Sequence, residues 1–547
     1  MENYLSKLAN LQHYHTAVET ALADMTADRI LPRIWARDHT VWRPDPTEIS
    51  DRLGWLDIAG RVQEDIPRFT ALRDTLLAEG YTHALLLGMG GSSLAPAVFG
   101  EVFADARPGL QLAVLDSTDP GAVIAHAIRL NPCRTLFIAA TKSGRTVETL
   151  SFLKYFYTLV AKTLGTADAG EHFIAITDAG SHLDALATRL AFRETFLNDP
   201  TLGGRYSVLS YFGMVPAALA GLDVRLLLDR ALAMMAACGP EVPAPENPAA
   251  WLGAVLGELA LAGRDKLTLV ASPEIAPFGD WIEQLVAEST GKEGKGILPV
   301  VAEPLGAPDV YGDDRLFVHL RLADDTRHDA ALAALAQAGH PVVRVPLRDR
   351  YDLGKQVFLW ELATAVAGAR LDIQPFNQPN VESAKVIARR MVAAYEATGS
   401  LPPGKYAPLT AGALDEFLAQ AQPGAYIALQ AYVQPTPEIS AALQSLRLRL
   451  RERTHLATTV GYGPRFLHST GQLHKGDAGH GLFIQFISPT VHDVPIPDAP
   501  GATESSITFG ILKQAQALGD AQALRDAGRR VICFDLGTDE VSGLKRL

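Results

Sequence analysis

The sequence predicts an α/β protein: two units, each a mainly parallel sheet flanked by helices, with an N-terminal helical arm and a C-terminal α/β extension. Three observations predict it. Short apolar runs such as Ala84-Leu85-Leu86-Leu87 alternate with helical stretches, the mark of parallel strands covered on both faces. Turns rich in glycine and hydroxyls, at 88–93 and 141–146, follow such runs and lead into helices. The 547 residues are 48% hydrophobic and 20% charged, which supports several buried cores at roughly 100–200 residues per domain.

The elements follow in chain order. Leu5, Leu8, Leu11 and Tyr14 recur at near-helical spacing, and Arg43-Pro44-Asp45-Pro46-Thr47 breaks any helix, so residues 1–60 read as an arm or cap. The first unit, 61–240, has strand runs at 84–87, 110–115, 136–140 and 173–177, with a long helix ending at Leu164. Residues 240–248 are rich in Pro and Glu and read as a linker. The second unit, 249–400, has runs at 267–271, 316–320 and 342–345. Leu401-Pro402-Pro403-Gly404 marks a further break. Residues 401–547 add runs at 425–433, 482–487 and 531–534, and are expected to complete the second domain or its site.

The formal net charge is −12, a poor match for general binding of nucleic acid or anionic membranes. Cys133, Cys238 and Cys533 are widely spaced and lack a CxxC pattern, so they read as reduced, buried thiols. The opening MENYLSKLANLQHYH has no basic region followed by an apolar run, and no stretch approaches the ~18 apolar residues of a membrane span. A soluble, cytosolic, multi-domain protein is expected, and composition does not say what it does.

Several motifs fail on inspection. Ser93 stands where the third glycine of a dinucleotide fingerprint belongs. Thr290-Gly291-Lys292-Glu293 has Glu in place of the Ser/Thr of a phosphate loop, and Val286 in place of its first glycine. GxSxG and HExxH are missing, and His13 and His15 would face different sides of a helix. No cofactor and no metal site are expected.

Other segments carry chemistry. Thr141-Lys142-Ser143-Gly144-Arg145-Thr146 gathers three hydroxyls and a lysine between a strand and a helix N-terminus, where the dipole favours phosphate. Gly90-Gly91-Ser92-Ser93 is either a capped tight turn or a second wall of that site, with Ser92 as donor. Gly203-Gly204-Arg205 either ends a turn with a surface arginine or aims a guanidinium at an oxyanion. Asp280-Trp281-Ile282-Glu283 reads as a helix start with a capping box. That helix carries Gln284 and Glu288 on one face, and Glu288 in its last turn opposes the dipole. Glu288 is either a solvated carboxylate near Lys292 or a general base. Pro379 suits a first helical turn, which places Gln378 before the helix and Lys385 about two turns in. Arg465-Phe466-Leu467-His468-Ser469-Thr470-Gly471-Gln472-Leu473-His474-Lys475-Gly476 reads as a polar loop holding two candidate histidines.

Together GMGGSS, ATKSGRTVET, GGRYSV, QLVAESTGK, FNQPNVESAK and HSTGQLHKG resemble the glucose-6-phosphate isomerase family, over about residues 40 to 490. The chain looks most like the isomerase half of bacterial transaldolase–isomerase fusion proteins. Its length leaves no room for a transaldolase barrel of ~250 residues, so no transaldolase activity is expected. The resemblance implies two sugar-isomerase (SIS) domains, a homodimer, and cofactor-free interconversion of an aldose and a ketose 6-phosphate. It implies that Ser92, Thr141, Lys142, Ser143 and Thr146 hold the phosphate and that Glu288 moves the proton between C1 and C2. It further implies that Arg205 stabilises the cis-enediolate, that Gln284 and Gln378 bind sugar hydroxyls, and that Lys385 and a histidine open the ring.

The sequence also departs from the family. The usual FDQxGVExxK reads FNQPNVESAK, with Asn377 and Asn380 altered, and Ala287 replaces the usual Met before Glu288. The histidine segment follows the Gln…Lys motif here, whereas it precedes it in the common order. His468 fits HSxxQLxHxG best and His474 is the reserve choice; in the family this histidine comes from the partner subunit. The alternatives are an isomerase that also accepts mannose 6-phosphate, and a non-catalytic sugar-phosphate sensor. A sensor has no use for Glu288, Arg205 and Lys385 together.

Overall fold

The computed structural model describes residues 8–165 and 167–547. Its first sheet has five parallel strands in the spatial order Gln111–Leu115, His83–Gly88, Thr135–Ala140, Phe173–Asp178, Glu194–Asn198. The chain order reverses direction between His83–Gly88 and Thr135–Ala140, where Gly88 pairs with Ala140. The two strands therefore end level with each other, and their following turns share one crevice. Ligands in open α/β sheets gather at such a reversal.

The second sheet runs Val342–Leu347, Arg315–Leu322, Lys266–Ala271, Leu298–Val300, all parallel, with Ala9–Asn10 added antiparallel at one edge. A third parallel sheet runs Ala457–Tyr462, Tyr426–Tyr432, Gly481–Ile487, Arg530–Asp535. Residues 401–547 thus form a sheet of their own and do not extend the second one. Tyr426–Tyr432 is flanked by parallel partners on both sides, so its backbone groups are already satisfied within that sheet.

The third sheet is bolted to both others. Glu303 lies 3.2 Å from the Arg315 guanidinium, both fully buried, and accepts a 3.1 Å bond from Thr458 of the third sheet. Toward the first sheet, the helix Phe509–Asp526 stacks Phe509 on Phe152, with ring centroids 5.8 Å apart. Lys513, one turn along, pairs with Asp119 at 2.9 Å, both buried.

The N-terminal residues pack against the body of the protein as a cap. Leu11, Val18, Leu22, Met25, Leu31 and Ile34 are buried in the main core. The helix begins only at His15, after the short strand Ala9–Asn10, and Leu5 lies outside the described residues. Cys238 and Cys533 are buried, but Cys133 is exposed, because it sits in the turn Pro132–Arg134 ahead of a strand. Among the described residues no helix is long and apolar enough to cross a membrane.

Candidate active site

The glycines of the first turn bring distant segments together. Gly90 has φ +55°, and a Cβ there would come within 2.9 Å of His468 and 3.1 Å of the Gln284 amide. A Cβ on Gly91 would meet the Gly204 carbonyl at 2.1 Å. The turn therefore closes against the segments that carry His468, Gln284 and Arg205, which side chains at 90 and 91 would forbid. Ser92 ends the short helical turn Gly90–Ser92 and is half-buried.

The second turn gathers hydroxyls at a helix N-terminus. Thr141, at the end of its strand, shares a 2.8 Å hydrogen bond with Thr146, which caps the helix Val147–Leu164. Ser143 Oγ accepts the Arg145 N–H at 3.3 Å, and Gly144 takes φ +68°. The helix N-terminus opens into a cavity of about 620 Å³ lined by Ser143, Thr146, Glu148, Lys385, His468 and Gln516. Lys142 does not join them. Its ammonium pairs with Asp178 and donates to the Pro200 carbonyl at 2.9 Å, because the neighbouring strand ends in a counter-charge.

Arg205, Gln284 and Glu288 form one buried cluster. The helix Phe278–Thr290 starts two residues before Asp280, so the expected capping box is not formed. Its far end carries Gln284 and Glu288 on one face as expected. Gln284 Nε2 donates to Glu288 Oε2 at 3.1 Å and to the His468 carbonyl at 2.7 Å. Arg205 Nη1 lies 3.3 Å from Glu288 Oε1, its Nε donates to Ser289 Oγ at 2.8 Å, and its Nη2 donates to the Asn377 carbonyl at 3.1 Å. Trp281 Nε1 donates to the Arg205 carbonyl at 3.1 Å and fixes that turn to the helix. Lys292 is close by, with Nζ 2.6 Å from the Asn377 carbonyl. Its burial, and then the Arg205 charge, push its pKa well below the usual lysine range.

The histidine segment is not a polar loop. It forms a short helical turn, Arg465–His468, and the helix Gly471–Gly476, and most of it is buried. His468 Nε2 sits 3.0 Å from Glu148 Oε1. Burial pushes the Glu148 carboxyl up, but the charge and hydrogen bond of His468, with Lys385 adding to them, outweigh it and hold it below the ordinary range. His474 is packed elsewhere. Its Nδ1 is 3.3 Å from Gln430 Nε2, its ring is 5.0 Å from Phe483, and burial drives its pKa well below that of a free histidine. His468 reaches Glu148 within one chain.

The remaining motif divides. Lys385, on the helix Glu382–Thr398, lines the cavity. Gln378 is exposed in the preceding segment, and Pro379 lies outside the helix, which starts three residues later at Glu382. Asn377 and Asn380 are spent on Lys292 and on Gln472, whose amide donates to Asn380 Oδ1 at 2.7 Å. Sequence reasoning missed Glu148 and Gln516. Glu148 had a signal, a carboxylate in the first helical turn of the phosphate segment, but the dipole alone accounts for such a residue. Gln516 had none. Among the described residues no group of three or more His, Cys, Asp or Glu side chains is placed to hold a metal ion.

The phosphoglucose isomerase family profile matches residues 76–297, which include the first-sheet turns, Arg205, Gln284 and Glu288. The chain is 28% identical over 426 residues to a glucose-6-phosphate isomerase of Rubrobacter xylanophilus, covering 68% of this chain and 94% of that protein. It is 30% identical over 367 residues to that of Carboxydothermus hydrogenoformans, covering 56% and 78%. A solved glucose-6-phosphate isomerase of Chlamydia trachomatis shares the fold, with a TM-score of 0.61 over 76% of this chain and 93% of that one at 17% identity. By these matches, the chain belongs to the phosphoglucose isomerase family.

Proposed function

We propose that this protein interconverts glucose 6-phosphate and fructose 6-phosphate through a cis-enediolate, with Glu288 as the base. The observation that carries the reading is the Glu288 carboxylate held between the Arg205 guanidinium at 3.3 Å and the Gln284 amide at 3.1 Å, beside the segment that bears His468. The proton next to a carbonyl is weakly acidic, so the enediolate needs stabilisation as it forms. A buried guanidinium supplies that, and a positioned carboxylate takes the proton.

In this reading the phosphate sits at the N-terminus of Val147–Leu164 among Ser143, Thr146 and Thr141, with Ser92 from the adjacent turn and Lys385 on the facing wall. Its binding orients the reacting carbons. Lys142 and Gln378 take no direct part, the first because Asp178 holds it and the second because it is exposed. His468, backed by Glu148, gives its proton to the ring oxygen as the C1–O5 bond of glucose 6-phosphate breaks, and the C1 hydroxyl gives up its proton to water so that the free aldehyde forms. Glu288 then takes the C2 proton while the C1 carbonyl becomes the enediolate oxygen facing Arg205. A proton passes from O2 to O1, and Glu288 returns its own proton to C1 as the carbonyl re-forms at C2, which gives the ketose. Gln284 binds a sugar hydroxyl. The likeness to the isomerase half of fusion proteins rests on the six strings taken together, and we place the activity in the cytoplasm, where sugar phosphates are held.

Two outcomes test the histidine. His468→Ala is expected to lower kcat on ring-closed substrate by about 10²-fold, with the fold unchanged. His474→Ala is expected to cost roughly 2–4 kcal/mol of stability through the cavity left among Tyr426, Phe466 and Phe483, which thermal melts would register. Equal and mild effects would remove both from the mechanism. Because His468 is supplied by the same chain, specific activity is expected to stay constant on dilution through any dimer dissociation followed by sedimentation. A loss that tracks dissociation would restore a shared site.

A further inference from the structure

Helix Phe509–Asp526 of the third unit reaches into the site through one amide. Gln516, which is buried, donates from Nε2 to Glu148 Oε1 at 2.7 Å. The same carboxylate oxygen faces His468 Nε2 at 3.0 Å. On its other side, Gln516 Oε1 accepts from Thr118 Oγ1 at 2.7 Å, and Thr118 is fully buried. The orientation is fixed by chemistry. An ionised carboxylate only accepts, so the amide must turn its NH₂ to Glu148, and its oxygen then needs the Thr118 proton. The Lys513–Asp119 ion pair one turn earlier clamps the helix to the same stretch of the first unit.

We propose that Gln516 is a positioning residue for ring opening, holding the Glu148 carboxylate in line with the His468 imidazole. The proposal rests on the role given to His468 above. Thr118 sets the amide, the amide sets the carboxylate, and the carboxylate sets the ring that protonates the sugar oxygen. Other titratable groups near this pair are Lys385 on Glu382–Thr398, Tyr432 on the third sheet, and the buried Lys475–Asp520 pair at 2.6 Å. A substitution at 516 changes none of them.

The test is kinetic, on Gln516→Met and on the gentler Thr118→Val. Each is assayed with fructose 6-phosphate and with an analogue lacking the 5-hydroxyl, which cannot close its ring. Gln516→Met is expected to lower kcat on fructose 6-phosphate by about tenfold with KM within twofold, and Thr118→Val by about threefold. Without the amide, the carboxylate concentrates on His468, so the limb of the kcat profile that reports loss of the imidazolium proton moves to higher pH. Both variants are expected to match wild type on the ring-less analogue. An unmoved pH limb with wild-type kcat, or equal losses on both substrates, would overturn the proposal. Failure of the isomerase reading looks different, because wild type would then turn over neither substrate.

Discussion

Glu288→Gln is expected to lower kcat by about a thousandfold while KM for fructose 6-phosphate changes less than threefold. The substitution keeps the shape and the Gln284 contact but removes the proton acceptor. The fold should survive it. Arg205, left beside a neutral amide, keeps Ser289 Oγ and the Asn377 carbonyl as acceptors. Retained binding with lost turnover separates a base from a binding group, and it is read by steady-state kinetics together with calorimetric titration. Wild-type turnover in this variant would end the assignment of the base.

Arg205 carries the second large effect. Arg205→Lys is expected to cost about 10²–10³ in kcat, since an ammonium cannot reproduce a fork that meets Glu288, Ser289 and Asn377 together. Arg205→Leu is expected to act mainly on stability. It strands the Glu288 carboxylate, which is 8% exposed beside an arginine 3% exposed, and breaking a buried pair costs about 3–5 kcal/mol. The contrast is diagnostic: Lys should lower the rate with a small change in melting temperature, and Leu should lower both. Equal rates for wild type and Arg205→Lys would exclude the oxyanion role.

The fold was legible where strands are buried on both faces. Three strands of the main sheets that the sequence did not reveal, Glu194–Asn198, Leu298–Val300 and Ala457–Tyr462, are edges of their sheets. An edge strand covers less of itself and tolerates polar residues and proline, so Glu194, Pro299 and Thr458-Thr459 hid the pattern. The candidate site was legible where glycine or hydroxyl clusters mark a crevice. It was not legible where a residue serves through distant partners. Gln516 lies 368 positions from Glu148, and nothing local to it distinguishes it from a surface glutamine. Lys142 illustrates the converse. Its sequence context places a cation by the phosphate, but the competing carboxylate is Asp178 on the next strand, which local sequence does not reveal.

That neutralisation alters how an acidic chain handles an anion. Lys142 and Arg205 are both matched by carboxylates, so the positive potential facing the cavity comes from Lys385, Arg145 and Lys154, with one helix N-terminus.

Proton transfer between C1 and C2 is the central claim, and one measurement tests it most directly. The protein is incubated with fructose 6-phosphate in deuterium oxide and the product is followed by proton NMR. The expected result is glucose 6-phosphate with solvent deuterium in a fraction of its C2 positions, and no such product from Glu288→Gln. Bound but unconverted substrate, or conversion in which C2 never acquires deuterium, would contradict the enediolate and its base.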